Sequence, residues 1–401
     1  MFKYFKGRVS QGFVSLYSGR MVLRISGALL GLFMPIFLYE FFDLNLGPVI
    51  FYYLISSLLY GVSVGWAARY LDKVGLRRSL RISIFWGALY YMSFYFLSRL
   101  EGEPTKAYVW LGLSLLFLTL LKLMYWVPLH TDLAKFTNKS NRARQLSLIE
   151  ATTVFLGAIM PLIAGWILTS HGYDVLFLIA IIVYFVSLIP FATLPKTKEV
   201  FSWGYWETWK QFFSKKRRRV VLAYAGDGAE SVVGIIIWPI FIWELLNGNY
   251  FEVGVLSSLI VVVTVFGQLL VGRFVDSGNK AKVLKYGTIF YAIGWIIKIF
   301  IATAFQIFIA STYHNLARIF TRTSFDALNY DKTADQGHYI DEYTVIHEMS
   351  IQLGKVLMFC FILILIMFIN VQWTFVLAAI ASLTLNFLAD DEPNRLIKEG
   401  G

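Results

Sequence analysis

Apolar residues fall in long runs that recur from residue 21 to residue 389, separated by short polar stretches. Most runs are about 20 residues long, the length of an α-helix that spans a bilayer core of about 30 Å. Because a segment in lipid must satisfy its own backbone hydrogen bonds, each run predicts a membrane-spanning helix. We place twelve spans near residues 21–42, 47–70, 81–99, 107–130, 147–169, 174–194, 220–245, 251–275, 284–303, 305–329, 346–369 and 371–389. The ninth and tenth spans have almost no gap between them, so their boundary is the least distinct.

The polar stretches alternate in charge along the chain. Lys and Arg are concentrated before the first span and in the second, fourth, sixth and eighth loops, as at Lys73, Arg77 and Arg78 in the second loop. The loops between these are acidic or neutral, as at Glu101 and Glu103. Cytoplasmic loops carry an excess of Lys and Arg, so we predict an even number of spans with both termini in the cytoplasm. We expect a multi-pass protein of the cell (inner) membrane.

The longest internal connection divides six predicted spans from six. Within it Trp206, Trp209 and Phe213 recur at helical spacing, and a basic run follows at residues 215–219. Aromatic residues on one face and basic residues on the other are typical of a helix that lies in the membrane interface. An unstructured basic tether is the alternative. The predicted domains are an N-terminal six-helix bundle (1–195), a cytoplasmic linker with an interfacial helix (196–219) and a C-terminal six-helix bundle (220–401).

The composition argues against a soluble protein. Of the 401 residues, 58% are hydrophobic and only 15% are charged, whereas soluble domains have about 25% charged residues. The net charge of +11 would suit a nucleic-acid partner. The basic residues, however, lie in short loops where membrane topology already requires them, so we expect no nucleic-acid partner. The single cysteine, Cys360, lies in an apolar run and permits no intrachain disulfide.

Two short charged stretches repeat each other at distant points of the chain. Residues 69–78 and residues 273–282 each contain an Arg-aromatic-aliphatic-Asp tetrad, followed by a glycine and basic residues. A helix hairpin this short needs a residue that is free to adopt positive φ, and Gly75 and Gly278 fit that need. Asp72 could accept hydrogen bonds from a helix start or pair with an arginine across the loop. Two such loops at corresponding points indicate a duplicated membrane protein.

The first of these loops resembles the signature of the major facilitator superfamily of secondary transporters. The matching residues are Asp72, Lys73, Gly75, Arg77 and Arg78. Ala68 stands where the pattern usually begins with glycine, whereas the second loop keeps that glycine as Gly272. Span count, linker and orientation extend the resemblance over essentially the whole chain. It implies an all-α integral membrane protein with twelve transmembrane helices in two pseudo-symmetric six-helix bundles.

The same resemblance implies a gate on the cytoplasmic side. In the superfamily, the Asp and the basic residues of these loops help to latch one bundle to the other. The openings of the fifth and eleventh spans face the loops, which makes their glutamates candidate partners. The predicted gate residues are Asp72, Gly75, Arg77, Arg78, Asp276, Glu150 and Glu348. The alternative is that the loop charges serve membrane topology alone.

Charged residues also occur at membrane depth, where each costs at least about 2.5–3.5 kcal/mol and implies a partner or a water-filled cavity. Lys122 lies deep in the fourth span, Asp227 in the seventh and Arg318 in the tenth. In the superfamily these spans line the transport cavity, together with the first. The candidate substrate and proton-coupling residues are Lys122, Trp126, Asp227, Glu230, Trp238, His314 and Arg318.

Two interpretations of the deep charges are open. In the functional one, the cations meet an anionic group of the substrate. Asp227 or Glu230 then binds and releases the driving proton, because burial disfavours the charged form of a carboxyl group. In the structural one, the charges form a buried ion pair that holds two helices together. His314 could titrate near neutrality or serve as a hydrogen-bonded helix contact. The charges near span ends, which can reach the interface, are Arg24, Lys298 and Glu244.

These patterns predict a secondary active transporter that moves a small organic solute by alternating access, coupled to protons. Residues 157–165 look like the glycine-proline motif of the superfamily's antiporters, which slightly favours export of amphipathic compounds. The alternatives are an importer or exchanger of an organic anion, and a non-transporting sensor or assembly protein with this fold. The chain has no His-Glu-x-x-His helix and no Cys/His metal set. We therefore expect no enzymatic activity, no cofactor and no metal. We also expect a monomer.

Overall fold

The computed structural model describes residues 9–100, 104–137, 142–197, 203–275, 280–334 and 340–389. Regular structure within these ranges is entirely helical. The first half contains α1 (Gln11–Leu30), α2 (Phe33–Phe41), α3 (Leu46–Val74), α4 (Leu76–Leu97), α5 (Pro104–Phe136) and α6 (Arg142–Ala192). A kink at Gly172, with φ 81°, divides α6 at the boundary predicted between the fifth and sixth spans.

The second half begins with a short helix and continues with longer ones. It contains α7 (Tyr205–Phe212), α8 (Arg218–Val232), α9 (Trp238–Leu245), α10 (Tyr250–Val275), α11 (Lys280–Lys298), α12 (Ala304–Ala334), α13 (Ile340–Leu365) and α14 (Thr374–Leu383). A π-helical turn, Val233–Ile237, joins α8 to α9. Short 3₁₀ segments precede α8 and flank α14 on both sides.

Each of the twelve predicted spans coincides with helical structure, and α11 and α12 are separate helices at the least distinct boundary. In the described residues, seven helical stretches are long and apolar enough to cross a membrane. An eighth is obtained if α1 and α2, which meet at 43°, count as one broken span. One stretch, Ser147–Ala192, covers two predicted spans. Among the helices of the predicted spans, α4, α11 and α12 fall short of this criterion, and they carry more polar residues.

The chain forms two compact units, the first being Met1–Phe37, Trp66–Ser202 and Asn249–Ser258. Within it α1 packs along α6, and α4 contacts both α5 and α6. The second unit comprises Leu38–Gly65, Trp203–Gly248 and Leu259–Gly401. Each unit combines segments from both halves of the chain. The contiguous domains 1–195 and 220–401 remain a prediction.

The second unit is built on α8, which packs against α13 and α14, while α11 packs against α12 and α14. An apolar cluster around Tyr224, Phe325 and Tyr343 joins α8, α12 and α13 at one end. The hydroxyl groups of Tyr224 and Tyr343 hydrogen-bond each other at 2.8 Å. These contacts fix the faces of α8 and α12 that carry the charged residues.

The linker contains the predicted helix as α7. Trp206 and Phe213 are 80% and 73% exposed, and the Trp209 ring stacks on that of Phe213. Exposed aromatic rings of this kind suit a membrane interface. The interfacial position of the helix remains a prediction.

Candidate functional site

Glycines on both sides of Asp227 bring neighbouring segments against α8. A Cβ atom at Gly228 would overlap the carbonyl oxygen of Ile351, and one at Gly354 would overlap that of Ala225. A Cβ at Gly226 would likewise overlap the Thr384 side chain. Small residues therefore allow α8 and α13 to approach backbone to backbone. This close packing determines where Asp227 and Glu230 lie.

Asp227 forms an ion pair with Arg322 of α12. The guanidinium Nη1 lies 2.6 Å from the Asp227 Oδ1 atom, and the two side chains are 15% (Asp227) and 45% (Arg322) exposed. Arg322 also contacts Asp326 one turn along, with 3.1 Å between Nε and Oδ1. Arg322 thus links α8 to α12. The structural interpretation of the deep charges predicts such an ion pair, which holds two helices together.

A small cavity of about 10 Å³ adjoins this ion pair, and we call it the Asp227 cavity. Its polar lining consists of Asp227, Glu230, Tyr291, Arg318, Thr321 and Arg322, and Phe325 and Leu385 complete it. A volume of this size holds one water molecule. Three of the predicted site residues, Asp227, Glu230 and Arg318, therefore border a single cavity.

Glu230 is the most deeply buried carboxylate of the Asp227 cavity, at 5% exposure. It accepts a hydrogen bond of 2.6 Å from the Tyr291 hydroxyl. Arg318 lines the same cavity and is exposed as a residue, and no carboxylate of the described residues lies within 4.0 Å of its guanidinium. The site thus combines a buried acid, hydrogen-bonded to a neutral group, with an accessible cation.

Trp238 does not line the Asp227 cavity, although uniform helical spacing would place it on the Asp227 face. The π-helical turn Val233–Ile237 lies between the two residues and holds more residues per turn than an α-helix. As a result, the side chains of α9 are rotated about the helix axis from the positions that uniform α-helical spacing predicts. Trp238 instead contacts Lys298, whose ammonium nitrogen lies 4.0 Å from the Trp238 ring and 4.1 Å from the Trp295 ring.

The expectation that Lys298 reaches the membrane interface is wrong. Its side chain is only 2% exposed, between the two indole rings. His314 is also buried, at 4% exposure, with its ring 4.4 Å from the Tyr291 ring and 4.5 Å from that of Trp295. His314 does not line the Asp227 cavity. Lys298 and His314 therefore belong to an aromatic layer behind the cavity.

Lys122 and Trp126 lie on α5 in the first unit and are both partly buried. The Trp126 ring stacks on His130 one turn later, with 5.8 Å between centroids. They are not among the residues that line the Asp227 cavity. Their convergence with Asp227 and Arg318 remains a prediction.

In the first predicted gate loop, the backbone at Gly75 has the conformation that the sequence predicts. Gly75 adopts φ 79° and precedes α4, which confirms the predicted positive φ. Arg77 donates to the carbonyl oxygen of Leu194 at 3.1 Å, and Arg81 donates to those of Phe191 and Ala192. These basic residues satisfy carbonyl groups at and just beyond the end of α6, which have no helical partners. Sequence reasoning did not identify this capping role.

The other gate candidates differ in how exposed they are. Asp72 and Arg78 are exposed at the two sides of the loop, whereas Asp276 lies outside the described residues. Glu150 is exposed on α6 in the first unit and attracts Arg24 electrostatically. Glu348 is buried at 7% exposure and accepts from the Tyr60 hydroxyl at 3.2 Å. The gating role of all seven residues remains a prediction.

Comparison with known proteins gives the class of this fold. The sequence pattern of the Major Facilitator Superfamily matches residues 16–226, just over half of the chain. The chain therefore belongs to the Major Facilitator Superfamily. No curated protein matches it significantly in sequence.

Solved structures share the fold at low sequence identity. A crystal structure of peptide transporter POT in complex with sulfate superposes with a TM-score of 0.67 and 12% identity, over 94% of this chain and 93% of that chain. The structure of a bacterial metal transporter gives a TM-score of 0.62 and 14% identity, over 97% and 100%. Likeness at these identities shows the fold alone, which is the predicted all-α membrane fold. Family and fold together support a secondary transporter.

Proposed function

We propose that the protein is a proton-coupled secondary active transporter of a small organic solute that carries an anionic group. The observation that carries the proposal is the Asp227 cavity, where an accessible arginine lies beside a buried, hydrogen-bonded glutamate. Transport would proceed by alternating access, as the family implies. This choice favours the organic-anion alternative over export of amphipathic compounds.

Arg318 is the proposed contact for the anionic group of the substrate. Arg318 lines the cavity, is exposed as a residue and has no carboxylate within 4.0 Å of its guanidinium among the described side chains. A guanidinium offers paired donors that match carboxylate and phosphate oxygens. Arg322, by contrast, is held by two carboxylates. A bound anion would therefore be recognised through Arg318 first.

Glu230 is the proposed carrier of the driving proton. A neutral tyrosine hydroxyl holds it, and such a group can accept as well as donate, so it can partner either protonation state of the carboxyl. Burial makes the charged form costly, because no cation of the described side chains lies within the 4.0 Å of an ion pair. Asp227 is less suited, because its pairing with Arg322 at 2.6 Å opposes protonation. Proton binding at Glu230 would alter the charge that faces Arg318.

The packing contacts of residues 157–165 favour neither direction of transport over the other. A Cβ atom at Gly254 would overlap the Pro161 carbonyl oxygen, and one at Gly165 would lie 2.5 Å from that of Tyr250. These contacts join α6 to the start of α10 within the first unit. Small residues here thus allow close packing, which either direction of transport needs. Export of amphipathic compounds remains a prediction from the motif.

The test begins with purified protein and a panel of small mono- and dicarboxylates, screened by thermal stabilisation. The carboxylate that stabilises most is then followed in proteoliposomes with an imposed pH gradient. We expect Glu230→Gln to abolish uphill accumulation while counterflow exchange continues, and Arg318→Gln to remove stabilisation by carboxylates. Glu252→Gln, at the start of α10, is the matched control and should behave as the native protein. Undiminished accumulation by Glu230→Gln would contradict the coupling role.

A further inference from the structure

A second and larger cavity lies in the second unit, at the N-terminal end of α3 near Leu46. The turn at Gly75 follows the opposite end of this helix. Its volume is about 250 Å³, and we call it the Glu244 cavity. Seven of its ten lining residues are apolar, and they come from α3, from α9, from the π-helical turn and from the segment after α13, such as Ile240, Ile237 and Ile366. The polar lining residues are Tyr39, Glu244 and Asn370.

Glu244 supplies the single charge of this lining. One carboxylate oxygen accepts a hydrogen bond of 2.5 Å from the Tyr39 hydroxyl. Among the described side chains, no Lys, Arg or His lies within 4.0 Å of the carboxylate. The second oxygen makes no hydrogen bond to the described part of the chain. An anionic group with a free oxygen thus borders a cavity whose lining side chains are mostly apolar.

We propose that the Glu244 cavity is a second ligand site, which takes a small aliphatic ammonium ion. The ammonium group would bind the free carboxylate oxygen of Glu244, with the Asn370 side chain as a further acceptor. The hydrocarbon part would fill the space along Ile237, Ile240 and Phe241. A charge-assisted hydrogen bond supplies orientation, and burial of hydrocarbon supplies affinity.

The size of the cavity limits the length of this ligand. A cavity of about 150 Å³ holds benzene, so 250 Å³ corresponds to about ten non-hydrogen atoms. Linear amines of four to eight carbons are therefore the appropriate probes. Each added methylene should tighten binding about threefold to fourfold until the space is filled.

Charge distinguishes this ligand from the other classes that an apolar cavity could accept. A fatty acid would place its carboxylate beside Glu244, where like charges repel. An alcohol of the same length would fill the space without the ionic contact. The site does not rest on the proposed function, because no residue lines both the Glu244 cavity and the Asp227 cavity. Binding at Glu244 can therefore succeed or fail whichever substrate is transported.

The experiment measures binding of n-butylamine, n-hexylamine and n-octylamine to the full-length protein in lipid nanodiscs, by calorimetry. Hexanol and hexanoate are the uncharged and anionic comparisons. Glu244→Gln removes the charge, Ile369→Trp narrows the cavity, and Glu252→Gln is the matched control outside it. Tyr39→Phe releases the oxygen that Tyr39 occupies and keeps the charge, so it tests the site if Glu244→Gln fails to fold.

We expect hexylamine to bind the native protein and Glu252→Gln equally, and to bind Glu244→Gln about tenfold more weakly. Ile369→Trp should abolish binding of hexylamine and hexanol alike. Tyr39→Phe should bind hexylamine at least as tightly as the native protein. The proposal is overturned if hexylamine does not bind, if hexanoate binds as tightly, or if Glu244→Gln leaves the affinity unchanged.

Discussion

The ion pair between Asp227 and Arg322 joins α8 to α12, and its removal tests whether it stabilises the second unit. The perturbation is a double-mutant cycle of Asp227→Asn, Arg322→Met and the two together. Arg322 also contacts Asp326, so the cycle isolates the interaction across the helices from the one within α12. Asp326→Asn is the matched control, because it removes a carboxylate from the same guanidinium.

The expected losses in the free energy of unfolding follow from the exposure of the Asp227 and Arg322 side chains. Asp227→Asn removes one charged hydrogen bond and leaves Arg322 its second partner, which should cost about 1–2 kcal/mol. Arg322→Met leaves a carboxylate that is 15% exposed without its cation. We expect a cost of about 2–4 kcal/mol, between the values for exposed and fully buried pairs. Asp326→Asn breaks an exposed i,i+4 pair and should cost no more than about 0.5 kcal/mol.

The free energy of unfolding can be followed by titrating dodecyl sulfate into mixed micelles of the purified variants. The double variant should lose less stability than the sum of the two single variants, by about 1–3 kcal/mol. Additivity within about 0.5 kcal/mol would refute the reasoning. It would mean that the two side chains do not stabilise each other, despite a separation of 2.6 Å.

The same measurement tests two further features. Gly354→Ala should destabilise the protein by about 3 kcal/mol, because the new Cβ overlaps the Ala225 carbonyl oxygen and forces α13 away from α8. The control is Gly157→Ala, which should be neutral or stabilising because nothing lies within 4 Å of its Cβ position. Equal losses of stability for Gly354→Ala and Gly157→Ala would contradict the packing argument. Lys298→Met replaces a buried ammonium that lacks a carboxylate within 4.0 Å among the described residues, and should stabilise by up to about 3 kcal/mol. The control is Lys285→Met, at an exposed position on the same helix, which should change the free energy of unfolding by less than about 0.5 kcal/mol. If Lys298→Met instead lowered stability by more than about 2 kcal/mol, the Trp238 and Trp295 rings would be compensating the buried charge.

The helices could be predicted from sequence because the bilayer imposes a length on every apolar run. The positive φ of Gly75 was predictable for a similar reason, since a hairpin of that length excludes most other residues. Charges at membrane depth also singled out Asp227, Glu230 and Arg318, which line one cavity, while their roles in transport remain predictions. In each case a local property of the sequence is tied to a strict physical limit.

Other features depend on contacts between distant residues and have no local signal. The hydrogen bond from Tyr39 to Glu244 joins residues 205 positions apart. Tyr291 and Lys298 acquire their roles only because α11 packs against α12 and α14, which brings their side chains to Glu230 and Trp238. The misplacement of Trp238 has a different cause, because extrapolation at 3.6 residues per turn fails across a π-helical turn. A glycine within an apolar run, such as Gly234, gave no reason to expect that turn.

Because of the π-helical turn, the seventh span tolerates the loss of one residue within this turn better than the loss of one residue elsewhere. Loss of one residue from a regular α-helix rotates everything beyond it by about 100°. Loss of one residue between Val233 and Ile237 could instead convert the π-helical turn into an α-helical one. The hydrogen-bonding ladder would be more regular afterwards, while Trp238 would turn away from Lys298. The segment can therefore change length by one residue without losing its helix, and the contacts of Trp238 would report the change.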